Sequence, residues 1–244
     1  MGLPTIAVPE YDLILPSTEK KIKYRPFLVK EEKILLIAME SEDPLQIMEA
    51  TRTVIKNCIY GDVDVDTLPT FDIEYIFLWL RAKAKGESID LNYSCPQCKK
   101  NIGVSFNIEQ VKIKKIPEHS NKIELTDKLG VVFKYPNIQV QHTIETLDKS
   151  MHEIDKVFKT ILYCVDYIYD NEEIYSSKDH TEEEMITFFE SLTDTQFQKL
   201  TSFFETMPKL SHSIKLLCKH KDDKKKSCGY KEDIVLEGLA SFFG

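Results

Sequence analysis

No stretch of this 244-residue chain is apolar for long enough to cross a bilayer. Its longest near-apolar runs, Ile34 to Met39 and Ile76 to Leu80, cover only one or two helical turns. The start lacks the basic-then-apolar order of a secretory leader, because Glu10 and Asp12 come early. A cytosolic protein is therefore expected. Basic excess is missing too: the formal net charge is −8, which opposes non-specific binding to nucleic acid or to an anionic membrane. The sequence contains no HExxH, no GxSxG, no Walker loop and no GxGxxG, so the common signatures of hydrolases and nucleotide enzymes are absent. Eight glycines and ten prolines exclude collagen-like or low-complexity chains.

What is present suits a folded core. Aromatic residues make up 10% of the chain, and apolar residues recur with regular periods. Tyr11 to Leu15 and Lys21 to Arg25 alternate about a turn at Pro16-Ser17-Thr18, which predicts a hairpin. Helices are expected from Val29 to about Met39 and from Pro44, capped by Asp43, to Gly61. A further helix is expected over Phe71 to Lys85, with Ile73, Ile76, Phe77, Leu80 and Ala84 on one face and Gly86 as its stop. Strands follow at Ser88–Tyr93, Gly103–Ile108, Lys122–Thr126 and Val131–Tyr135.

The second half reads as mostly helical. Ile154, Val157, Phe158, Ile161, Val165 and Ile168 mark one face, and Thr181/Glu184 and Thr193/Gln196 are two capping boxes. The end reads as strand, cysteine loop, strand and short helix. The expected fold class is α+β, with an N-terminal hairpin and helices over residues 1–87 and a β module over 88–136. A helical region follows over 137–210, and a C-terminal hairpin and helix over 211–244 complete the β module.

The six cysteines carry the chemistry. Disulfides are not expected in a cytosolic chain of this size. Cys58 and Cys164 sit inside apolar helical patterns and read as small buried hydrophobes. The other four come in two strand-flanked pairs. Cys95-Pro96-Gln97-Cys98 lies between two predicted strands, and so does Cys218 with Cys228-Gly229. Two such pairs supply the four soft ligands that a closed structural zinc site needs, so one zinc ion held by Cys95, Cys98, Cys218 and Cys228 is predicted. His220, two residues after Cys218, offers an alternative nitrogen ligand.

A redox role for the CxxC is disfavoured because Lys99, Lys100 and Asn101 lead into another strand, not into a helix. Four thiolates leave no open position for catalysis, and no catalytic residue is assigned. Glu182, Glu183 and Glu184 suit a helix start better than acid–base work, and Asp62 to Asp66 lacks the glycine and closing glutamate of an EF-hand.

Longer segments extend the reading. Leu13 to Glu32 (LILPSTEKKIKYRPFLVKEE), Leu68 to Glu87 (LPTFDIEYIFLWLRAKAKGE), Cys95 to Cys98, Phe203 to Leu210 (FFETMPKL) and Cys228 to Phe243, ending in EGLASFF, carry a resemblance. The chain resembles the baseplate hub protein family of T4-type contractile-tailed bacteriophages. That resemblance implies a non-enzymatic virion-assembly protein, a hub chaperone or minor hub component. It would act in the infected host's cytoplasm, with the tail baseplate as a further location and other hub proteins as partners. The nine residues between Cys218 and Cys228 depart from the tighter spacing expected of a knuckle. Phe242 and Phe243 are the expected partner anchors, from three Phe doublets whose second members could instead pack internally. A zinc-ribbon nucleic-acid binder is the alternative, with Lys99, Lys100, Lys112, Lys114 and Lys115 as its basic residues.

Overall fold

A computed structural model of the protein describes residues 6–147, 150–221 and 227–242. Helices and antiparallel sheets alternate along the chain, as an α+β fold requires.

Strands β1 (Tyr11–Ile14) and β2 (Lys21–Tyr24) form the predicted hairpin, and β3 (Ile59–Tyr60) extends it. Between them lie helices α1 (Val29–Glu40) and α2 (Pro44–Cys58). Asp43 caps α2 by accepting from the Leu45 N–H at 3.0 Å. Helix α3 (Thr70–Lys85) ends at Gly86, whose φ of 103° suits a residue without Cβ.

Helix α3 is the hub of the fold. Ile73, Ile76, Phe77 and Leu80 face a core built with β1, β2 and α2, whereas Leu78 and Ala82 enter a second core. Ala84, expected on the buried face, is exposed in the last turn of the helix, beyond the reach of either core.

The second core holds the hairpin β4 (Ser88–Ser94) and β5 (Asn101–Asn107) and a separate three-stranded sheet. In that sheet β11 (Lys209–Leu217) lies between β6 (Lys112–Lys114) and β12 (Lys231–Glu237). The third core joins a four-stranded sheet to helices. Its strands run in the order β10 (Ile174–Ser176), β9 (Val165–Tyr169), β8 (Gly130–Phe133), β7 (Lys122–Glu124). Helices α5 (Glu153–Tyr163), α6 (Glu182–Glu190) and α7 (Asp194–Thr206) cover it, while α4 (Ile138–Glu145) packs beside α2.

Three expectations change. Segment 88–136 divides between two cores, since β4–β6 join one and β7–β8 the other. Segment 137–210 contains two strands. The helical reading through Val165 and Ile168 stops at Cys164, and Val165 to Tyr169 is strand β9. Strand β8 is buried along its whole length and needs hydrogen-bonding neighbours on both sides, and the β-branched and aromatic residues of 165–169 supply one. The two capping boxes form as expected: the Glu184 carboxylate accepts from Thr181 N–H at 2.8 Å, and the Gln196 side chain accepts from Thr193 N–H at 2.9 Å.

Candidate metal centre

Alternation along the strands aims the cysteines. In β4, Ile89, Leu91 and the half-buried Tyr93 point inward, and Cys95 is the next residue in that series. In β11, Leu210, Ile214 and Leu216 point inward, and Cys218 follows in phase. On the return strand, Leu236 and Ile234 lead back through Tyr230 to Cys228 by the same period. The sulfurs therefore continue the inner faces of two hairpins, and the second core ends in them.

The sulfurs of Cys95, Cys98, Cys218 and Cys228 all lie within 4.8 Å of one another. Cys95 Sγ is 3.8 Å from Cys228 Sγ, and Cys98 Sγ is 3.5 Å from Cys218 Sγ, across sequence separations of 133 and 120 residues. Four metal–sulfur bonds of about 2.3 Å in a tetrahedron give sulfur–sulfur edges of roughly 3.8 Å. The cluster has the size of such a cage, and its all-sulfur donor set suits a soft tetrahedral ion.

Local backbone structure holds the ligands in place. In the first turn Cys95 N–H donates to Lys100 O at 2.9 Å, and Lys99 N–H donates to Cys95 O at 2.8 Å. Lys99 takes a left-handed conformation with φ of 59° directly after Cys98, and Gly229 does the same with φ of 69° directly after Cys228. Each second ligand is thus followed directly by a residue in the left-handed conformation. The freedom needed at Gly229 was legible in the sequence; the strain at Lys99 was not.

The wide spacing of the second pair has a simple geometric cause. Cys218 N–H donates to Tyr230 O at 2.9 Å and Cys228 N–H donates to His220 O at 2.8 Å. A further bridge pairs Lys221 with Ser227. The β11–β12 ladder thus runs past the ligands before the chain turns, so Cys218 and Cys228 are close neighbours across the hairpin, not two ends of one tight turn. His220 Nδ1 stands 3.5 Å from Cys218 Sγ and is not one of the four converging ligand atoms. It is placed to hydrogen-bond the sulfur.

Cys95 is shifted in the opposite direction from Cys218 and Cys228. Burial would raise the Cys95 thiol, but the N–H groups of Cys98 and Gln97 and the neighbouring sulfurs outweigh it and bring it down to about 7. Burial, reinforced by the sulfurs of Cys98 and Cys95, pushes Cys218 up to about 12. Cys228 is lowered by the Tyr230 backbone hydrogen bond but raised on balance by burial and by Cys95. Thiolates packed this closely would repel one another, and a cation held between them would offset that repulsion.

The remaining sequence candidates separate from this cluster. Cys58 and Cys164 are buried, and burial pushes their thiols up to about 11 and about 12. Phe242 is 1% exposed, packed edge-on to Phe106 in the second core, so it is a core residue and not the exposed anchor expected. Phe243 lies outside the described residues. In the other doublets Phe189 and Phe203 are buried, and Phe188 and Phe204 pack partly buried on the third core. Lys99 and Lys100 are exposed beside the sulfurs, but Lys112 and Lys114 pair with Ser211 and Lys209 at the far end of β11. That end is roughly 23 Å from Cys218 along the strand. Lys115 directly follows β6 at that same end. Glu182 binds Lys159 and Tyr163, and Glu184 caps its helix, so these two acids are held in structural contacts.

No described helix is long and apolar enough to cross a membrane. No curated protein and no solved structure matches the chain. A family model described as T4 bacteriophage base plate protein matches residues 8–244. The match opens just before β1 and runs to the C-terminus, so it takes in all three cores and both cysteine hairpins; the chain belongs to the T4 bacteriophage base plate protein family.

Proposed function

We propose that this baseplate protein is a non-enzymatic assembly factor or minor component of the tail baseplate hub, working through protein–protein contacts on a body locked by one structural zinc ion. The observation that carries the reading is the closed cage of four sulfurs inside a chain matched along nearly its whole length by the baseplate family. A site of this type leaves the metal no position for water or substrate. Its work is mechanical: Cys95 and Cys98 hold the middle of the chain to Cys218 and Cys228 near its end. Metal-binding energy then becomes folding energy, so the bound form presents a rigid surface to other hub proteins. Those contacts form in the host cytoplasm, where tails are built and thiols stay reduced.

Deleting the gene from its phage and reintroducing it tests the role. The reading predicts that hubs fail to assemble without the protein. It also predicts that the wild-type gene restores them and the Cys95→Ser gene does not. Finished hubs in the deletion strain would contradict it. Assaying purified virions for the protein separates a retained component from a factor released during assembly. Salt-sensitive DNA binding by the purified protein, lost when Lys99 and Lys100 are both changed to Glu, would instead support the nucleic-acid reading.

A further inference from the structure

The C-terminal half of helix α1 is an apolar run, Ile34-Leu35-Leu36-Ile37-Ala38-Met39, long enough to circle the helix, whereas its first half is mostly charged. A helix of this kind is normally enclosed by its own protein. Here only Glu31 and Ala38 are buried, while Val29, Leu36, Ile37 and Met39 are 80%, 51%, 57% and 58% exposed. The outward face is a stripe of Val29, Lys33, Leu36 and Glu40, spaced four, three and four residues apart, with Ile37 flanking it. That is the spacing of a helix–helix seam.

The charges on the stripe select its partner. Lys33 lies toward the start of α1 and Glu40 at its end, both exposed, and among the described residues neither forms an ion pair. A second α1 running antiparallel, with the two-fold axis between Leu36 and Ile37, brings each Lys33 against the other copy's Glu40. Leu36 then meets Ile37 twice at the centre. In such an isologous contact every favourable pair occurs twice. We propose that the outer face of α1 is a self-pairing surface on which a second copy of this chain seats its own α1, antiparallel, about that axis.

The area sets the strength. Two three-turn helices alone fall short of the roughly 1,200 Å² that stable interfaces bury. The dimer is accordingly weak and concentration-dependent. It forms on the first core, away from the metal centre, and does not depend on the metal.

Sedimentation equilibrium of the full chain over a broad concentration range tests the pairing. The wild type should pass from monomer to dimer. Lys33→Glu and Glu40→Lys should each weaken dimerisation about tenfold, because each replaces two attractions with two repulsions. The double variant should return close to wild-type affinity, which only pairing between copies of this stripe explains. Both side chains are exposed, so unchanged circular dichroism should accompany each result. A monomer at every concentration would overturn the proposal. So would a dimer indifferent to the single reversals, or a double variant no better than the singles.

Discussion

At the residue scale the cysteines divide by the company their sulfurs keep. Cys95, Cys98, Cys218 and Cys228 converge, whereas Cys58 and Cys164 are enclosed by hydrocarbon. Sequence was enough to make this division, because strand-flanked pairs and helix-embedded singles demand different surroundings. It left His220 open; in the structure its Nδ1 stands 3.5 Å from Cys218 Sγ, and the four mutually close ligand atoms are all sulfur. Phe242 was misjudged for a related reason: a terminal aromatic looks free in sequence until Phe106 is seen beside it. Serine at 95 or 228 should abolish stoichiometric metal binding, because a neutral hydroxyl replaces a thiolate. Cys58→Ser should keep the metal and lose only packing stability, and metal analysis with thermal melts distinguishes the two outcomes.

Asp66 gives a pH prediction at the same scale. Hydrogen bonds from Arg52, at 2.6 Å to each oxygen, and from Lys56 at 2.9 Å hold its carboxyl well below the usual range. A carboxyl whose pKa drops on folding contributes stability above the unfolded-chain value of about 4, and that contribution is lost as pH falls through the folded value. Asp66→Asn should therefore cost about 1 kcal/mol at neutral pH, discounted for the partly exposed Arg52 and Lys56. The gap from wild type should close in strong acid, and denaturant melts at several pH values measure it.

At the element scale, signals that act within a few residues were readable. Asp43-Pro44, Thr181/Glu184, Thr193/Gln196 and Gly86 mark helix ends that the structure reproduces. Removing one such signal has a bounded effect: Thr193→Ala should destabilise the protein by about 1 kcal/mol, read as a lower melting temperature with unchanged metal content. Distant pairing was not readable. Val165 and Ile168 fit a helical face and a strand equally well, and strand β8, more than 30 residues earlier, decides between them. Helix α4 falls inside the expected helical region 137–210 but was not singled out there, because its eight residues have only a short apolar pattern; Asn137 caps it by accepting from Val140 N–H at 3.0 Å. The wide Cys218–Cys228 gap likewise looked anomalous until the ladder was seen to continue past both ligands.

At the scale of the whole molecule, three cores share one chain, and α3 contributes to two of them. The second core is assembled from chain-distant hairpins, and its outer end is finished by sulfur. A cage of this kind makes folding depend on metal, so chelation should lower the melting temperature and loosen the hairpins β4–β5 and β11–β12 before the N-terminal core. Hydrogen exchange on the metal-free protein measures this order. The proposed role depends on one zinc ion per chain held by four thiolates. Zinc X-ray absorption on the purified protein, with metal content measured on the same sample, tests it most directly. One zinc per chain with a first shell of four sulfurs at about 2.3 Å is expected. A substoichiometric metal, or a shell containing nitrogen or oxygen, would contradict it.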